Sequence, residues 1–396
     1  MNDKKLKSKR TPYYLYDIGL LEDTLKSMNE ERLKHENYIV HYAIKANANP
    51  MILKAIKKYG LGIDCVSGGE LKSSLEAGFT GSSIVFAGVA KNDEEIELGI
   101  DNDIFSFNVE SIPELEVINE LAGKKGKKAN VCLRINPDVD AHTHANITTG
   151  LAENKFGLSK DKTEHWISIA KSMENIVFKG LHFHIGSQIL DMEPFKNLCL
   201  EINDIQDRLE KNGISIEVIN VGGGLGIDYI HPNEHPIPDF KAYFDTFAAN
   251  LSLRDGQQLH FELGRALVGQ CGSLITKTLY IKETSHKKFV MVDAGMTELI
   301  RPALYDAFHK IENISQSGNI RLYENPITQD SNVTYDIVGP ICESSDVFVK
   351  DYNMPATSRG DILAIRSAGA YGEVMASCYN CRPLPSSFSL EELTSD

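Results

Sequence analysis

Eight strand-like runs separated by helical stretches, followed by a tail in which strand runs dominate, predict an α/β protein. The expected architecture is a (β/α)8 TIM-like barrel plus a C-terminal, mainly antiparallel β domain that also takes in the N-terminal strand. The runs are rich in β-branched and aromatic residues. The stretches between them carry apolar residues at helical spacing, with Pro or Ser at the starts and Gly at several ends. Eight such strands over about 230 residues suit a closed barrel better than an open doubly wound sheet.

In order, the barrel strands are expected at YIVHYAIKA (38–46), GIDCVS (62–67), SIVFAG (83–88), IFSFNV (104–109), VCLRINP (131–137), GLHFHIG (180–186), IEVINVGG (216–223) and LHFELG (259–264). Helix patterns such as PMILKAIKKYG, GELKSSLEAGF, SIPELEVINELAG and EPFKNLCLEINDIQDRLEKNG lie between them. After residue 269 the rhythm changes: SLITKTLYIKE, KKFVMVDAG, VTYDIVGPI, DVFVKD and GDILAIR read as strands, with LIRPALYDAFHKI the one helical pattern. The early run PYYLYD (12–17) precedes the barrel and needs a sheet partner, so it is expected to join this second domain. The expected divisions are 1–33 for the N-terminal segment, 34–268 for the barrel and 269–396 for the β domain.

A chain of 396 residues with 42% hydrophobic and 24% charged residues can bury a large core and does not read as disordered. The charge balance, 41 − 55 = −14, argues against a broad grip on nucleic acid or anionic lipid, while allowing a local basic pocket for a small anion. No apolar run approaches the roughly 18 residues that span a bilayer, and mean hydropathy is −0.23. The basic opening MNDKKLKSKR is not followed by an apolar segment, so no secretory signal is expected and a cytoplasmic location is. The seven cysteines are odd in number and scattered, which points to reduced thiols. Cys378 and Cys381 form a CxxC with no second CxxC or HxxxH beside it, so neither metal nor redox use is expected.

Barrel enzymes place their working groups at the carboxyl ends of the strands. Lys45 ends strand one, Ser67 strand two, Asn136 strand five, His184 and Ser187 strand six, and Glu262 with Arg265 strand eight. Strand seven ends in Gly222, Gly223 and Gly224, whose backbone N–H groups could let an anion approach closely. Singly, each has a plain structural reading. The lysine could be a solvated edge residue, the glycines a turn, and the two histidines of LHFHIGS satisfied core residues. Arg265 could simply pair with Glu262. Their joint fall on one barrel rim is what those readings leave unexplained.

HYAIKANANP resembles the cofactor-lysine motif of the pyridoxal-phosphate-dependent amino-acid decarboxylases of the alanine-racemase fold. HFHIGSQ, NVGGGLG, ELGR, VGPICESSD and GAYG resemble that family's later motifs in the same order, from TPYYLYD near the start to NCRPLP near the end. Within the family, DAGMTELIRPALYDAFH with CESSD is most similar to the branch that acts on meso-2,6-diaminopimelate. The resemblance thus implies pyridoxal 5'-phosphate as cofactor and decarboxylation of that diamino diacid to L-lysine and CO2, the last step of lysine biosynthesis. A decarboxylase of ornithine, arginine or carboxynorspermidine is the alternative; Arg301 argues against it, because a distal amine alone would be repelled there.

The resemblance also implies the roles. Lys45 would bond the cofactor's aldehyde. Glu262 would keep the pyridine nitrogen protonated, so that the carbanion left by CO2 loss delocalises into the ring. His184 would stack on that ring. Ser187, Gly222 to Gly224, Gly264 and Arg265 would surround the phosphate, with Tyr371 closing over it. At the substrate's far end Arg301 with Tyr305 would meet the carboxylate and Glu343 the ammonium, while Arg265 also reaches the substrate. Cys342 would be the general acid, since a free thiol with a pKa of roughly 8.5 is mostly protonated at neutral pH; the plain reading of Cys342 is a small buried hydrophobe after Ile341. A homodimer with shared active sites is implied too. Three departures stand out. Leu263 replaces the family's usual proline, FAGVAKND matches only loosely so that Lys91 receives no role, and Cys378 and Cys381 have no chemical account.

Overall fold

Parallel strands buried on both faces need near-continuous apolar runs, and this is how the first unit is built. The computed structural model describes residues 9–140, 156–317 and 332–394; the basic opening residues 1–8 lie outside it. Strands Tyr38–Ala43, Gly62–Cys65, Ile84–Phe86, Ser106–Val109, Ala129–Asn136, Ile176–His182, Val218–Asn220 and Gln258–Leu263 overlap all eight expected runs. Each pairs in parallel with its neighbours, and the ring closes where Gln258–Leu263 meets Tyr38–Ala43, with Glu262 opposite His41. A further two-residue strand, Leu158–Ser159, lies against Ala129–Asn136. It is too short to show any period in the sequence.

The helices between the strands start where a short polar side chain can satisfy the first free N–H groups. Asn49 caps Pro50–Lys58, Ser67 caps Gly68–Glu76, Asn92 caps Asp93–Asp101 and Ser111 caps Ile112–Lys124. Ser67, at the end of the second strand, is therefore occupied as a cap, accepting the Glu70 N–H at 3.2 Å. First-turn glutamates also tie the strand ends together. Glu70 accepts from the Val66 N–H at 2.7 Å, Glu95 from Gly68 at 2.6 Å and Glu114 from Glu110 at 2.8 Å.

In the second unit, Gly272–Glu283 pairs antiparallel with Tyr13–Tyr16, Lys288–Val292 and Ile362–Ile365. The N-terminal strand thus finds its partner in the β domain, and its other edge runs parallel to Ser386–Ser389. Lys288–Val292 and Asn332–Val338 are the second parallel pair in a sheet that is otherwise antiparallel. Tyr13, Leu15, Ile275, Ile314, Ile362, Ala364, Leu390 and Leu393 form a buried core there.

By internal contact, Leu25–Gly226 and Asp239–Gly264 make one unit, and the described residues of Met1–Thr24, Ile227–Pro238 and Arg265–Asp396 make the other. The Pro- and His-containing excursion 227–238 therefore counts with the β unit. The Gln270 amide donates to the backbone carbonyls of Asp228 (3.1 Å) and His235 (3.0 Å) at its two ends.

Candidate active site

A carboxylate in the middle of a barrel is costly unless its oxygens are filled. Glu262, on the eighth strand, is buried, with Oε1 accepting from Asn220 Nδ2 at 2.7 Å and Asn108 Nδ2 at 3.0 Å, and Oε2 3.0 Å from His182 Nε2. Burial alone would raise its pKa, but the charge and hydrogen bond of His182, with Lys45 and His184 beyond, outweigh it and hold the carboxyl well below its usual range. Glu262 is thus an anion that accepts from His182, Asn108 and Asn220.

Lys45 follows the first strand in the short 3-10 turn Ile44–Ala46. Its Nζ lies 3.8 Å from Asp64 Oδ2, and its side chain is 37% exposed against 1% for Asp64. The amine is therefore reachable from solvent while its counter-charge is not. Burial drives the Asp64 carboxyl well above its ordinary pKa, the Glu262 charge adds to that, and Lys45 opposes it. Neither Asp64 oxygen has a hydrogen-bond partner among the described residues.

The glycine run after the seventh strand serves packing first. A Cβ on Gly223 would lie 2.0 Å from the Glu262 carbonyl oxygen, so no side chain fits there. The Gly222 N–H donates to Asn220 Oδ1 (2.9 Å) and the Gly223 N–H to His184 Nδ1 (3.2 Å). The expected open row of N–H donors is therefore reduced, because two of them are used internally. Gly224 instead accepts the Ile189 N–H at 2.9 Å, tying the loop that carries half-buried Ser187 to the glycine run. Because Nδ1 of His184 accepts, its proton sits on Nε2. Burial, then the charges of Lys45 and Arg134, push this imidazole well below its usual pKa, so it is neutral. A Cβ on Gly264 would fall 3.2 Å from the Cβ atoms of Ala43 and Ala46, so the eighth strand's end packs directly on the turn bearing Lys45.

In the β unit, Arg265 and Arg301 are both buried and lie among tyrosines. Arg265 Nη1 donates to the Tyr229 hydroxyl at 2.6 Å, and its guanidinium sits 4.8 Å from the Tyr371 ring centre. Arg301 lies 5.3 Å from the Tyr229 ring centre and 5.9 Å from that of Tyr305. Its Nε donates to His309 Nε2 at 3.2 Å, and His309 Nδ1 donates to the Arg366 carbonyl at 2.9 Å. Burial, then the Arg301 charge, push His309 down to about 3, so it stays neutral and adds no second cation. Arg301 makes no ion pair among the described residues. Two guanidiniums held on aromatic faces are well placed to take anionic groups.

Cys342 and Glu343 are exposed, whereas Ile341 before them is buried, so the plain reading of Cys342 as a core residue is wrong. Asp346 sets their loop: Oδ2 accepts from Ile341 N and Oδ1 from Met296 N, both at 2.6 Å. Tyr371 is half-buried and has φ +56°, a left-handed conformation that only the surrounding structure can impose on a tyrosine.

Asp64, Asn108, His182, Asn220, Tyr229 and Asp346 are the contributors that sequence reading missed or left without a role. The signal for Asp64, Asn108 and Asn220 was present: a polar residue within a strand otherwise expected to be buried on both faces.

A solvent-reachable lysine amine whose charge acts on an ionised carboxylate inside a parallel barrel is the equipment of an enzyme that works through an electrophilic aldehyde cofactor. The chain belongs to the pyridoxal-dependent decarboxylases: residues 21–269 match the family described as pyridoxal-dependent decarboxylase, pyridoxal binding domain. The cofactor of this family is pyridoxal 5'-phosphate, and the residues fit it. A carboxylate offers about four acceptor positions, and His182, Asn108 and Asn220 take three of those on Glu262, leaving one for a ring N–H. Diaminopimelate decarboxylase of Bacteroides thetaiotaomicron is 59% identical over 98% of this chain and 98% of its own length. The crystal structure of diaminopimelate decarboxylase from Helicobacter pylori complexed with L-lysine matches with a TM-score of 0.90 at 37% identity, over 99% of this chain and 94% of that one. Diaminopimelate decarboxylase from M. jannaschii in co-complex with L-lysine matches with a TM-score of 0.85 at 38% identity, over 96% and 88%.

Proposed function

We propose that this protein decarboxylates meso-2,6-diaminopimelate to L-lysine and CO2, using pyridoxal 5'-phosphate. The observation that carries the reading is Glu262, a carboxylate kept ionised in the barrel interior with the Lys45 amine acting on it. Pyridoxal phosphate supplies the electron sink that accepts the bonding pair when CO2 leaves. Lys45 is the amine that holds the cofactor through its aldehyde and gives way to the substrate's amine. Glu262 keeps the ring nitrogen protonated, and neutral His184 presents a flat uncharged face that does not compete for that proton. Ser187, the glycine loop, Gly264 and Arg265 are assigned to the phosphate.

The substrate's distal carboxylate is assigned to Arg301 with Tyr305 and its distal ammonium to Glu343, and Arg265 also reaches the substrate. An enzyme for a plain diamine precursor would have no use for the Arg301 cation. Cys342 returns a proton from Sγ to the α-carbon that lost CO2. We assign Cys342 and Glu343 to the active site of a second copy of the chain, whereas Tyr371, whose ring lies 4.8 Å from Arg265 of the same chain, stays with its own. Exposed Leu304, Phe308 and Val374 in the β unit support such a homodimer. No described helix is long and apolar enough to cross a membrane. All seven cysteines are free, which supports a cytoplasmic setting.

The test is to incubate the purified, cofactor-loaded protein with meso-diaminopimelate. Lysine and CO2 are expected in equal amounts. Loaded protein that forms neither would refute the reading.

A further inference from the structure

Four of the seven cysteines are buried and three, Cys342, Cys378 and Cys381, are exposed. Burial pushes the thiols of Cys132 and Cys199 up to about 12 and those of Cys65 and Cys271 up as well. Thiol chemistry in this chain is therefore confined to the exposed three.

Those three share one place. The Cys342 N–H points at Asn380 Oδ1, 3.4 Å away, and the Glu343 carboxylate holds the Tyr379 hydroxyl above its usual pKa. The loop bearing Cys342 thus lies along the turn that runs from Cys378 to Cys381. The i→i+3 hydrogen bond there closes one residue later, from the Arg382 N–H to the Tyr379 carbonyl at 3.3 Å, and Asn380 and Cys381 have φ of +54° and +57°. The left-handed backbone at Asn380 and Cys381 turns the chain between Cys378 and Cys381, and residues three apart in a turned chain can reach the Cα spacing of a disulfide, about 4.4–6.8 Å. A metal would use the same thiols, but among the described residues no group of three ligating side chains has the geometry to hold one.

We propose that Cys378 and Cys381 are a resolving pair that recovers Cys342 from oxidation by a hydroperoxide. The inference rests on the proposed role of Cys342 as the acid. In the first step the Cys342 thiolate attacks one peroxide oxygen and breaks the O–O bond, giving a sulfenic acid and, with hydrogen peroxide as the oxidant, a hydroxide that takes up a proton to leave as water. Next, one thiol of the pair attacks that sulfur, forming an S–S bond to Cys342 and releasing a second water. The other thiol of the pair then attacks the mixed disulfide, closing the Cys378–Cys381 bond and releasing Cys342 as a thiol. Two thiols are oxidised for each peroxide reduced, and a dithiol reductant returns the pair to its starting state. Without the pair, the sulfenic acid would proceed to sulfinic acid, from which no ordinary thiol recovers it.

Cofactor-loaded wild type and the double variant Cys378→Ser/Cys381→Ser are treated with hydrogen peroxide, alkylated and mapped by mass spectrometry, with activity read before and after dithiothreitol. Neither substituted residue has a place in the catalytic machinery, so both proteins should start equally active. The expected result is a Cys378–Cys381 disulfide with an alkylatable Cys342 in wild type, and full recovery of activity. The double variant should accumulate sulfinic acid at Cys342 and lose activity irreversibly. Equal over-oxidation of Cys342 in both proteins, or a pair that stays reduced while Cys342 is spared, would overturn the proposal. Mapping reads the thiols without any turnover. The acid role is judged separately, by the rate of Cys342→Ser in the absence of oxidant.

Discussion

Glu262→Gln keeps the side chain's shape and deletes its charge. The amide oxygen can still accept from Asn108 and Asn220, which leaves the NH2 facing His182 Nε2. His182 can accept there only by giving up the proton on Nε2, which leaves Nδ1–H as its one donor, buried with no partner among the described residues. One orphaned buried donor costs about 1–3 kcal/mol, so the variant should fold with a lowered Tm. The chemical effect is distinct from that cost. A hydrogen bond to a charged group contributes roughly 1.5–3 kcal/mol. Losing it for the ring nitrogen should lower kcat about ten- to a hundredfold, at about 1.4 kcal/mol per decade. The assay is lysine formation at saturating cofactor and substrate, with thermal unfolding alongside. A variant with lowered Tm and wild-type kcat would refute the reasoning, because the carboxylate would then be structural only.

Three further outcomes follow from the same geometry. Arg301→Ala should raise KM for diaminopimelate by about ten- to a hundredfold, the worth of one charge-assisted contact, with little change in cofactor affinity by titration; an unchanged KM would remove its substrate role. His41, whose Nε2 lies 2.8 Å from His260 Nδ1, is held by burial down to about 4 from 6.5. Its neutral form is favoured by folding, so stability is intact above pH 6.5 and falls as pH drops toward 4. From the two values, a loss of about 2 kcal/mol is expected at pH 5, and urea unfolding of His41→Gln should be flatter over that window. Asp346→Ala orphans the N–H groups of Ile341 and Met296, at about 1–3 kcal/mol each. It should lower Tm and also kcat, since the loop of Cys342 loses its anchor; an unchanged kcat would detach the loop from the chemistry.

What the sequence showed, it showed through period and spacing. All eight barrel strands were legible because a strand buried on both faces has to be a β-branched or aromatic run, and Pro50 and Ser111 marked helix starts by capping chemistry. Lys45, His184 and Glu262 could be placed at strand ends because a parallel barrel puts every such end on one rim. The polar floor under the site was not legible. Asn108 and Asn220 reach Glu262 from 154 and 42 residues away in the chain. The glycine run was read as an open cradle, yet Gly222 and Gly223 spend their N–H groups on Asn220 and His184. Backbone direction decides that, and composition carries no trace of it. The strand Ser386–Ser389 reads as a polar loop because its order comes from its partner Tyr13–Tyr16.

The most direct test is the point of cofactor attachment. After loading with pyridoxal phosphate, borohydride reduction and proteolysis, the reduced adduct should map to the peptide containing Lys45, and Lys45→Ala should yield no adduct and no lysine. An adduct on a different lysine, or lysine production by Lys45→Ala at the wild-type rate, would contradict the account.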